Sequence, residues 1–218
     1  MKTNVPVVTF PALESVPGIL HAFTGRVEGI DVSVDRELAL ERLEKSHVEV
    51  RESLGLGDRE FITAQQVHGA GVAVVDANTR SPVPGVDGLI TADPRVCLGI
   101  YVADCGAVYL ADPVRRVIGL LHSGRKGTEK RITRVAIQRM TAEFGSDPAQ
   151  LIVQLGPCIR PPHYEIDFAA EIVRQAREAG VLRVHDCGVC TGQNVDRYYS
   201  YRVERGRTGR MLAKLALA

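Results

Sequence analysis

The clearest pattern of secondary structure in the chain lies at Leu98–Thr128, LGIYVADCGAVYLADPVRRVIGLLHSGRKGT. Short apolar runs rich in valine, isoleucine and tyrosine alternate there with turns that contain glycine, aspartate or proline, which is typical of β-strands. The predicted strands of this segment are Leu98–Val102, Val108–Leu110 and Val117–Leu121. A helical pattern of apolar residues begins where the segment ends, so strands and helices are expected to share one fold.

The same alternation continues on both sides of this segment. Further strands are predicted at Phe61–Val67, Val72–Val75, Leu89–Thr91 and Leu151–Leu155. Helical spacing predicts helices at Asp35–Leu54, Thr128–Phe144 and Asp167–Ala179, with Thr128 and Asp167 as N-caps and Gly145 and Gly180 as stops. The order of elements predicts an α/β (α+β) fold, a layered sandwich of mixed β-sheet covered by helices, in a single domain over residues 1–218.

Composition and charge exclude several classes of protein. The 218 residues are 45% hydrophobic and 24% charged, as in an ordinary globular domain. The formal net charge of +1 gives no electrostatic basis for binding nucleic acid. Met1–Leu20 lacks the continuous apolar core of a signal peptide, and no apolar run is long enough to span a membrane. The chain is therefore predicted to be cytoplasmic, with its five cysteines reduced and without membrane or nucleic-acid partners.

Three residues have the chemistry of metal ligands. His68, Cys105 and His122 each follow a strand-like run and precede a glycine or a serine–glycine pair. Imidazole and thiolate together suit zinc, and three protein ligands leave one position open, as in catalytic zinc sites. No C-x-x-C or H-x-x-x-H pair joins these residues, so the spacing alone also allows a packed thiol and two histidines bonded to backbone.

Two loops are candidates for substrate contacts. The basic turn Gly124–Thr128 precedes a predicted helix, where backbone N–H groups and the charge of Lys126 favour an anion. A plain turn with solvated Arg125 and Lys126 is the alternative. The stiff loop Gly156–Glu165 follows a predicted strand and contains His163. In one interpretation the loop contacts substrate and His163 lies near the metal. In the other, the prolines of the loop simply enforce a turn.

The remaining candidates are a cysteine pair and a tyrosine cluster. Cys187 and Cys190 form a C-x-x-C without a second such pair, so two thiols in a loop near the core are favoured over a redox role. Tyr198, Tyr199 and Tyr201 are expected to pack in the core or an interface rather than to stack on bases. The role of the two cysteines stays open at this point.

Short motifs distributed over nearly the whole chain carry a family resemblance. They are HAFTGR (His21–Arg26), QQVHG (Gln65–Gly69), VDGLIT (Val86–Thr91), ADC (Ala103–Cys105), HSGRKGT (His122–Thr128), GPCI (Gly156–Ile159), YEI (Tyr164–Ile166), CT (Cys190–Thr191), SYR (Ser200–Arg202) and TGR (Thr208–Arg210). Jointly they resemble the laccase-domain family of bacterial proteins, regarded as zinc-dependent purine nucleoside phosphorylases, some with adenosine deaminase activity. The resemblance places the family's metal ligands on His68, Cys105 and His122.

The resemblance implies a reaction and a set of roles. Adenosine or inosine would be cleaved by phosphate to the free base and ribose 1-phosphate, with nucleoside and phosphate as the partners and Zn²⁺ as the cofactor. Copper would be an opportunistic occupant only, because one His/Cys/His site cannot house a multi-copper centre. The implied catalytic residues are Cys105, His122 and Asp104, and the implied substrate or phosphate contacts are Arg26, Lys126, Arg125 and His163.

Two other functions remain open at the level of sequence. An amidase that edits peptidoglycan precursors, a role also attached to members of this family, would use Cys105 as nucleophile and His122 as base. A zinc-stabilised binding protein would keep the metal and lack the chemistry. Arg125 and Lys126 stand where the family has tryptophan and arginine, so base and sugar preference, like oligomeric state, are not assigned from the sequence.

Overall fold

The computed structural model describes residues 5–218, so the first four residues of the predicted domain lie outside it. The strands are β1 (Val7–Val8), β2 (Ile19–Thr24), β3 (Glu60–Thr63), β4 (Val72–Val74), β5 (Gly88–Thr91), β6 (Val96–Val102), β7 (Gly106–Asp112), β8 (Val117–Ser123), β9 (Ile152–Leu155), β10 (Arg183–Asp186) and β11 (Met211–Leu217). The helices are α1 (Pro11–Glu14), α2 (Arg36–Ser53), α3 (Arg125–Glu129), α4 (Ile132–Phe144) and α5 (Phe168–Glu178), with a short 3-10 helix at Pro148–Gln150.

The strands form two mixed sheets. The first has the order β1-β2-β11-β6-β3 and the second β10-β9-β7-β8-β5-β4. The pairs β3–β6, β4–β5 and β9–β10 are parallel, and the other pairs are antiparallel. The predicted α/β class with a mixed sheet is therefore confirmed, and the sheet is in fact two sheets.

The core lies between the two sheets. Buried side chains of β6 and β11 in the first sheet share one apolar cluster with side chains of β7 and β8 in the second. A second cluster joins the opposite face of the second sheet to α4 and α5. The helix α2 packs on the first sheet, where Val50 meets Ala22. Apolar residues alternate between the two faces of the strands, and this alternation buries both faces of each sheet.

Two predicted helices have the expected boundaries. Asp35 caps α2 by accepting a hydrogen bond from the Leu38 N–H, and Asp167 caps α5 by accepting one from the Ala170 N–H. These side-chain caps satisfy backbone donors that the helix leaves free.

Among residues 5–218, no helix combines the length and the apolar character needed to cross a membrane.

The predicted helix Thr128–Phe144 is wrong at its start. It is divided into α3 and α4, and Arg131 between them has a left-handed backbone with φ of 59°. Thr128 lies inside α3 rather than at an N-cap, and its hydroxyl donates to the Gly124 carbonyl. The first turn therefore begins directly after β8, and the local pattern did not indicate the break that follows.

Four strands have no counterpart in the predicted elements. β1, β2, β10 and β11 were not predicted, and the predicted strand Phe61–Val67 ends early, at Thr63. The most central of them, β11, is fully buried between β2 and β6. Its sequence MLAKLAL contains a lysine and no β-branched residue, so neither composition nor alternation marks it as a strand.

Candidate metal centre

The three predicted ligands converge in space. His68 lies in the loop after β3, and Cys105 lies in the turn between β6 and β7. His122 lies near the C-terminal end of β8. Their ligand atoms all lie within 4.8 Å of one another. β6 belongs to the first sheet and β8 to the second, so the group forms where the ends of the two sheets meet. These residues can therefore hold a metal ion.

A buried carboxylate, Asp87, orients two of the three ligands. Its Oδ1 lies 2.8 Å from His122 Nδ1 and accepts a hydrogen bond of 2.9 Å from the His68 N–H. Its Oδ2 accepts from the N–H groups of Gly69 at 2.7 Å and Val67 at 3.1 Å. Because the Nδ1–H of His122 donates to this carboxylate, Nε2 is left for the cluster, as in carboxylate–histidine–metal arrangements.

Asp87 was not among the residues singled out from the sequence. It precedes β5 and lies within the VDGLIT motif, which carried the family resemblance but was given no chemical role. The signal that could have found it is an aspartate directly before a fully buried strand, where a charged side chain requires partners. The structure identifies those partners as the His68 loop and His122.

Three residues around the site have backbone conformations that are unfavourable for residues other than glycine. The φ angles of Gln66, His68 and Asp104 are 62°, 58° and 79°. Such left-handed residues persist where neighbouring contacts hold them. Here Asp87 holds the backbone of His68, and the Gln66 amide bonds the backbone N–H and carbonyl of Tyr101 at 2.9 and 2.6 Å.

The two histidines alter the chemistry of the Cys105 thiol. Burial would raise the pKa of Cys105, but hydrogen bonds with His122 and His68 outweigh it and lower the pKa to about 6. Burial would lower the pKa of His122, whereas hydrogen bonds with Asp87 and Cys105 raise it to about 9. The thiolate is the form of cysteine that binds metals.

Glycine at position 124 is required by the position of this thiol. A Cβ built on Gly124 would collide with Cys105 Sγ. The nitrogen and sulfur donors of the group suit zinc, and Asp87 supplies the outer hydrogen bond that such histidine ligands commonly have. The residues present therefore fit a zinc ion with an open coordination position.

The cluster lies in a cavity of about 1200 Å³ with a strongly basic lining. The basic side chains that line it are Arg36, Arg125, Lys126, Arg202, Arg205 and Arg210. Its acidic lining residues, Asp104 and Glu129, both have hydrogen-bond partners already. The cavity thus combines a metal-ligand group with an excess of positive charge, which favours anionic ligands.

Two of the four predicted substrate contacts line this cavity. Arg125 and Lys126 both project from α3 and are exposed. The Arg125 guanidinium is already bonded to Glu129, with Nε 2.8 Å from Oε1. Lys126 makes no side-chain hydrogen bond or ion pair with another residue in the described part of the chain. Because α3 has five residues, the charge of Lys126 rather than a helix dipole is the main attraction for an anion.

The other two predicted contacts lie elsewhere. Arg26 is not part of the cavity lining, because its Nη2 pairs with Glu204 at 2.8 Å and its guanidinium lies 4.5 Å from the centroid of the Tyr199 ring. His163 also lies outside the lining, with its Nδ1 3.8 Å from Cys190 Sγ. The structure therefore does not bring Arg26 and His163 to the metal-ligand group.

Asp104 lines the cavity but is held in a network of its own. It accepts hydrogen bonds from Thr191 Oγ1 at 2.7 Å, Ser200 Oγ at 3.1 Å and the Arg202 N–H at 2.7 Å. Burial raises its pKa, and these hydrogen bonds partly offset the rise. Both carboxylate oxygens are engaged, so Asp104 ties the Cys105 turn to the segment that precedes β11.

The cysteine pair and the tyrosines are also placed. Cys187 and Cys190 are free thiols, and neither belongs to the metal-ligand group. Tyr198 and Tyr199 are buried, as expected. Tyr201 is exposed and lines the cavity, so it does not pack in the core.

Fold and site together define a two-sheet α/β protein with a His/Cys/His metal-ligand group in a basic cavity. The chain belongs to the family described as multi-copper polyphenol oxidoreductase laccase, which matches residues 22–175 and 163–218. This finding confirms the resemblance that the sequence motifs indicated.

Curated relatives and solved structures agree with this membership. A Streptomyces coelicolor protein named purine nucleoside phosphorylase SCO2081 is 33% identical over 207 residues, covering 83% of this chain and 80% of the relative. A Deinococcus radiodurans protein named purine nucleoside phosphorylase is 32% identical and covers 98% of this chain and 94% of its own. The structure of YlmD from Geobacillus stearothermophilus matches with a TM-score of 0.83 at 23% identity, over 95% of this chain and 94% of that chain. The Bacillus licheniformis hypothetical protein YfiH matches with a TM-score of 0.81 at 22% identity, over 92% and 93%.

Proposed function

We propose that this protein is a zinc-dependent enzyme that cleaves purine nucleosides with phosphate, releasing the free base and ribose 1-phosphate. The observation that carries the proposal is the group of His68, Cys105 and His122 within a cavity lined by basic side chains. The names of the Streptomyces and Deinococcus relatives support the reaction class. Phosphate and a nucleoside are then the two small-molecule partners.

The metal would be held by His68, Cys105 and His122. A bound zinc ion supplies Lewis acidity, which stabilises negative charge that develops during group transfer. The chain contributes the orientation of its ligands, because Asp87 holds the Nδ1 side of His122 and the backbone of His68. Asp104 keeps the Cys105 turn in place and is a positioning residue in this proposal, with no role in moving a proton.

Phosphate would bind on the α3 side of the cavity. Lys126 is exposed there and has no acidic partner among residues 5–218, whereas Arg125 is shared with Glu129. In the reaction a phosphate oxygen forms a bond to the anomeric carbon, and the electron pair of the glycosidic bond leaves with the base. A fixed cation at the phosphate lowers the repulsion that the nucleophile would meet and restricts its orientation.

Product analysis tests the proposal directly. Zinc-loaded protein is incubated with adenosine and with inosine, each with and without phosphate, and free base and ribose 1-phosphate are quantified. Base release that depends on phosphate and is lost in His68→Ala, but retained in His163→Ala, is the expected result. His163 is a matched control because it lies outside the cavity lining. Absence of base release from both nucleosides contradicts the proposal, and inosine formed from adenosine would report deamination instead.

The amidase alternative rests on a specific contact. Cys105 Sγ lies within 4.8 Å of ligand nitrogens of His68 and His122, as a thiol nucleophile beside a base would. Hydrolysis of an amide in peptidoglycan precursors that survives removal of zinc by a chelator would favour this alternative. Zinc binding without turnover of any of these substrates would favour a protein that has kept the metal alone.

A further inference from the structure

Apart from Arg202, which pairs with Glu165, the basic residues of the cavity fall into two groups that come from different elements. Arg125 and Lys126 belong to α3, which follows β8 of the second sheet. Arg36 begins α2, and Arg205 and Arg210 lie in the segment that leads into β11 of the first sheet. A single inorganic phosphate beside Lys126 leaves the second group, Arg36, Arg205 and Arg210, without an assigned ligand.

Arg210 is the fixed member of this second group. Its side chain is nearly buried, at 8% exposure, and its Nη1 donates to the carbonyls of Thr208 and Gly209 at 2.8 and 2.9 Å. The guanidinium lies 5.8 Å from the centroid of the Tyr201 ring. Burial and the neighbouring charge of Arg36 lower the pKa of Arg210. The guanidinium is thus held in one orientation at the cavity wall by its own backbone.

No residue in the described part of the chain forms an ion pair with the second group, although the charges of Cys105 and Asp104 act on Arg210. Arg36 and Arg205 are exposed, and neither forms a side-chain hydrogen bond or an ion pair with any residue of 5–218. The cavity's acidic residues are not available, since Asp104 is bonded to Thr191 and Ser200 and Glu129 to Arg125. Neighbouring like charges without a partner destabilise a fold, and natural proteins retain such conflicts chiefly at functional sites.

We infer that Arg36, Arg205 and Arg210 bind a phosphate that the substrate itself carries, so the preferred substrate is a purine nucleoside monophosphate. The inference rests on the proposed function and names its substrate class. Guanidinium groups match the oxygens of a phosphate ester through paired hydrogen bonds, and a nucleoside without that ester offers them nothing of equal charge. The α3 group remains for inorganic phosphate.

The reaction on such a substrate balances without a further reactant. An oxygen of inorganic phosphate donates its electron pair to the anomeric carbon, and the glycosidic bond breaks with its pair on the base nitrogen. The base takes up a proton from solvent and leaves. The sugar keeps its original phosphate ester and gains a second at the anomeric carbon, so the product from AMP is a ribose bisphosphate.

Competition between AMP and adenosine tests the inference. With zinc-loaded protein and saturating inorganic phosphate, kcat/KM for AMP is expected to exceed that for adenosine by about tenfold or more. Arg36→Gln and Arg205→Gln are each expected to reduce the ratio of the two kcat/KM values by about tenfold. Both residues are exposed, so their loss does not disturb the core. Arg134→Gln is the matched control, because Arg134 is exposed on α4 and lies outside this cavity lining.

The outcomes separate this inference from the proposed function. Cleavage of adenosine with no preference for AMP overturns the inference and leaves phosphorolysis standing. The inference is also overturned if the ratio of kcat/KM for AMP to that for adenosine is unchanged in both variants. It is overturned likewise if calorimetric titrations show that the variants weaken the binding of inorganic phosphate as much as the binding of AMP. If neither substrate is cleaved, calorimetry in phosphate-free buffer decides. Tighter binding of AMP than adenosine that is lost in Arg36→Gln supports the second group, and equal or absent binding overturns it.

Discussion

Asp87 links the backbone of one candidate ligand to the ring of another. We predict that Asp87→Asn lowers the zinc affinity of the protein by about 10- to 100-fold, because an amide no longer holds the imidazole of His122 by a charged acceptor. Competition with a chromophoric chelator measures the affinity. Asp93→Asn is the control, since Asp93 pairs with Arg95 outside the cavity lining. Unchanged affinity in Asp87→Asn would show that the ligands hold their orientation without this carboxylate.

Lys126 and Arg125 are expected to contribute unequally to the binding of inorganic phosphate. Lys126 is free and Arg125 is bonded to Glu129, so we expect Lys126→Ala to weaken phosphate by about 1–3 kcal/mol and Arg125→Ala to have a smaller effect. Lys126→Arg should tighten phosphate where the larger head group fits, because a guanidinium offers two parallel donors. Titration calorimetry on zinc-loaded protein measures these differences, with Lys130→Ala as an exposed control outside the cavity lining. A larger loss in Arg125→Ala than in Lys126→Ala would reverse the assignment.

At the level of elements, β11 contains an unusual residue for a central strand. Lys214 is fully buried, and its Nζ has no hydrogen-bond partner in the described structure. Its neighbours across the two ladders are Ala22 and Gly99, which offer no polar side chain. Burial lowers the pKa of Lys214 to about 7, the nearby charge of Arg51 acts in the same direction, and the negative charge of Glu44 only partly opposes them. Below its unfolded pKa the fold therefore bears the cost of neutralising or burying a charge.

The sign of the pH dependence follows from that lowered pKa. The unfolded chain keeps Lys214 charged up to about pH 10, so the cost is absent above that pH, grows as the pH falls toward 7 and stays constant below. We predict that Lys214→Met raises the free energy of unfolding at pH 7 by roughly 1–4 kcal/mol and that this gain shrinks at pH 9. Urea unfolding at the two pH values measures it, with the exposed Lys45→Met as control. A gain of zero, or one that does not change with pH, would contradict the assignment.

At the level of the whole molecule, the family's description and the metal-ligand group point to different metal contents. The family is described as multi-copper, whereas residues 5–218 contain one group of His, Cys or acidic side chains able to hold an ion, at His68, Cys105 and His122. Several copper ions would need several such groups, rich in histidine.

We therefore predict about one metal ion per chain in the purified protein, and zinc as that ion, because catalytic zinc sites use three nitrogen or sulfur ligands and keep one position open. Elemental analysis of wild type and of Cys105→Ala measures the content, which should fall to near zero in the variant. Cys190→Ser is the control, since this thiol lies outside the group. Retention of the ion in Cys105→Ala, or three or more coppers in wild type, would contradict the prediction.

The local sequence pattern was sufficient to predict many of the secondary-structure elements of this protein. The strands β5 to β9 and the helices α2 and α5 were predicted from the chain, and His68, Cys105 and His122 were singled out as candidate ligands. The strands and helices are decided by properties of a few adjacent residues, namely side-chain period and a capping carboxylate. Such properties hold whatever the rest of the chain does. The donor chemistry of histidine and cysteine only suggested the ligands, and the family resemblance selected them as a set.

Other features depended on which elements became neighbours. The sequence could not indicate that β11 lies centrally, because the burial of MLAKLAL is decided by β2 and β6 beside it. The tertiary structure likewise decides which distant residues bond to Asp87 and that Arg26 pairs with Glu204 outside the cavity lining. It also places Arg36 and Arg210 in that lining. A charged side chain has no local preference for one partner over another, so only the packing of the two sheets decides which charges meet and which remain free for a ligand.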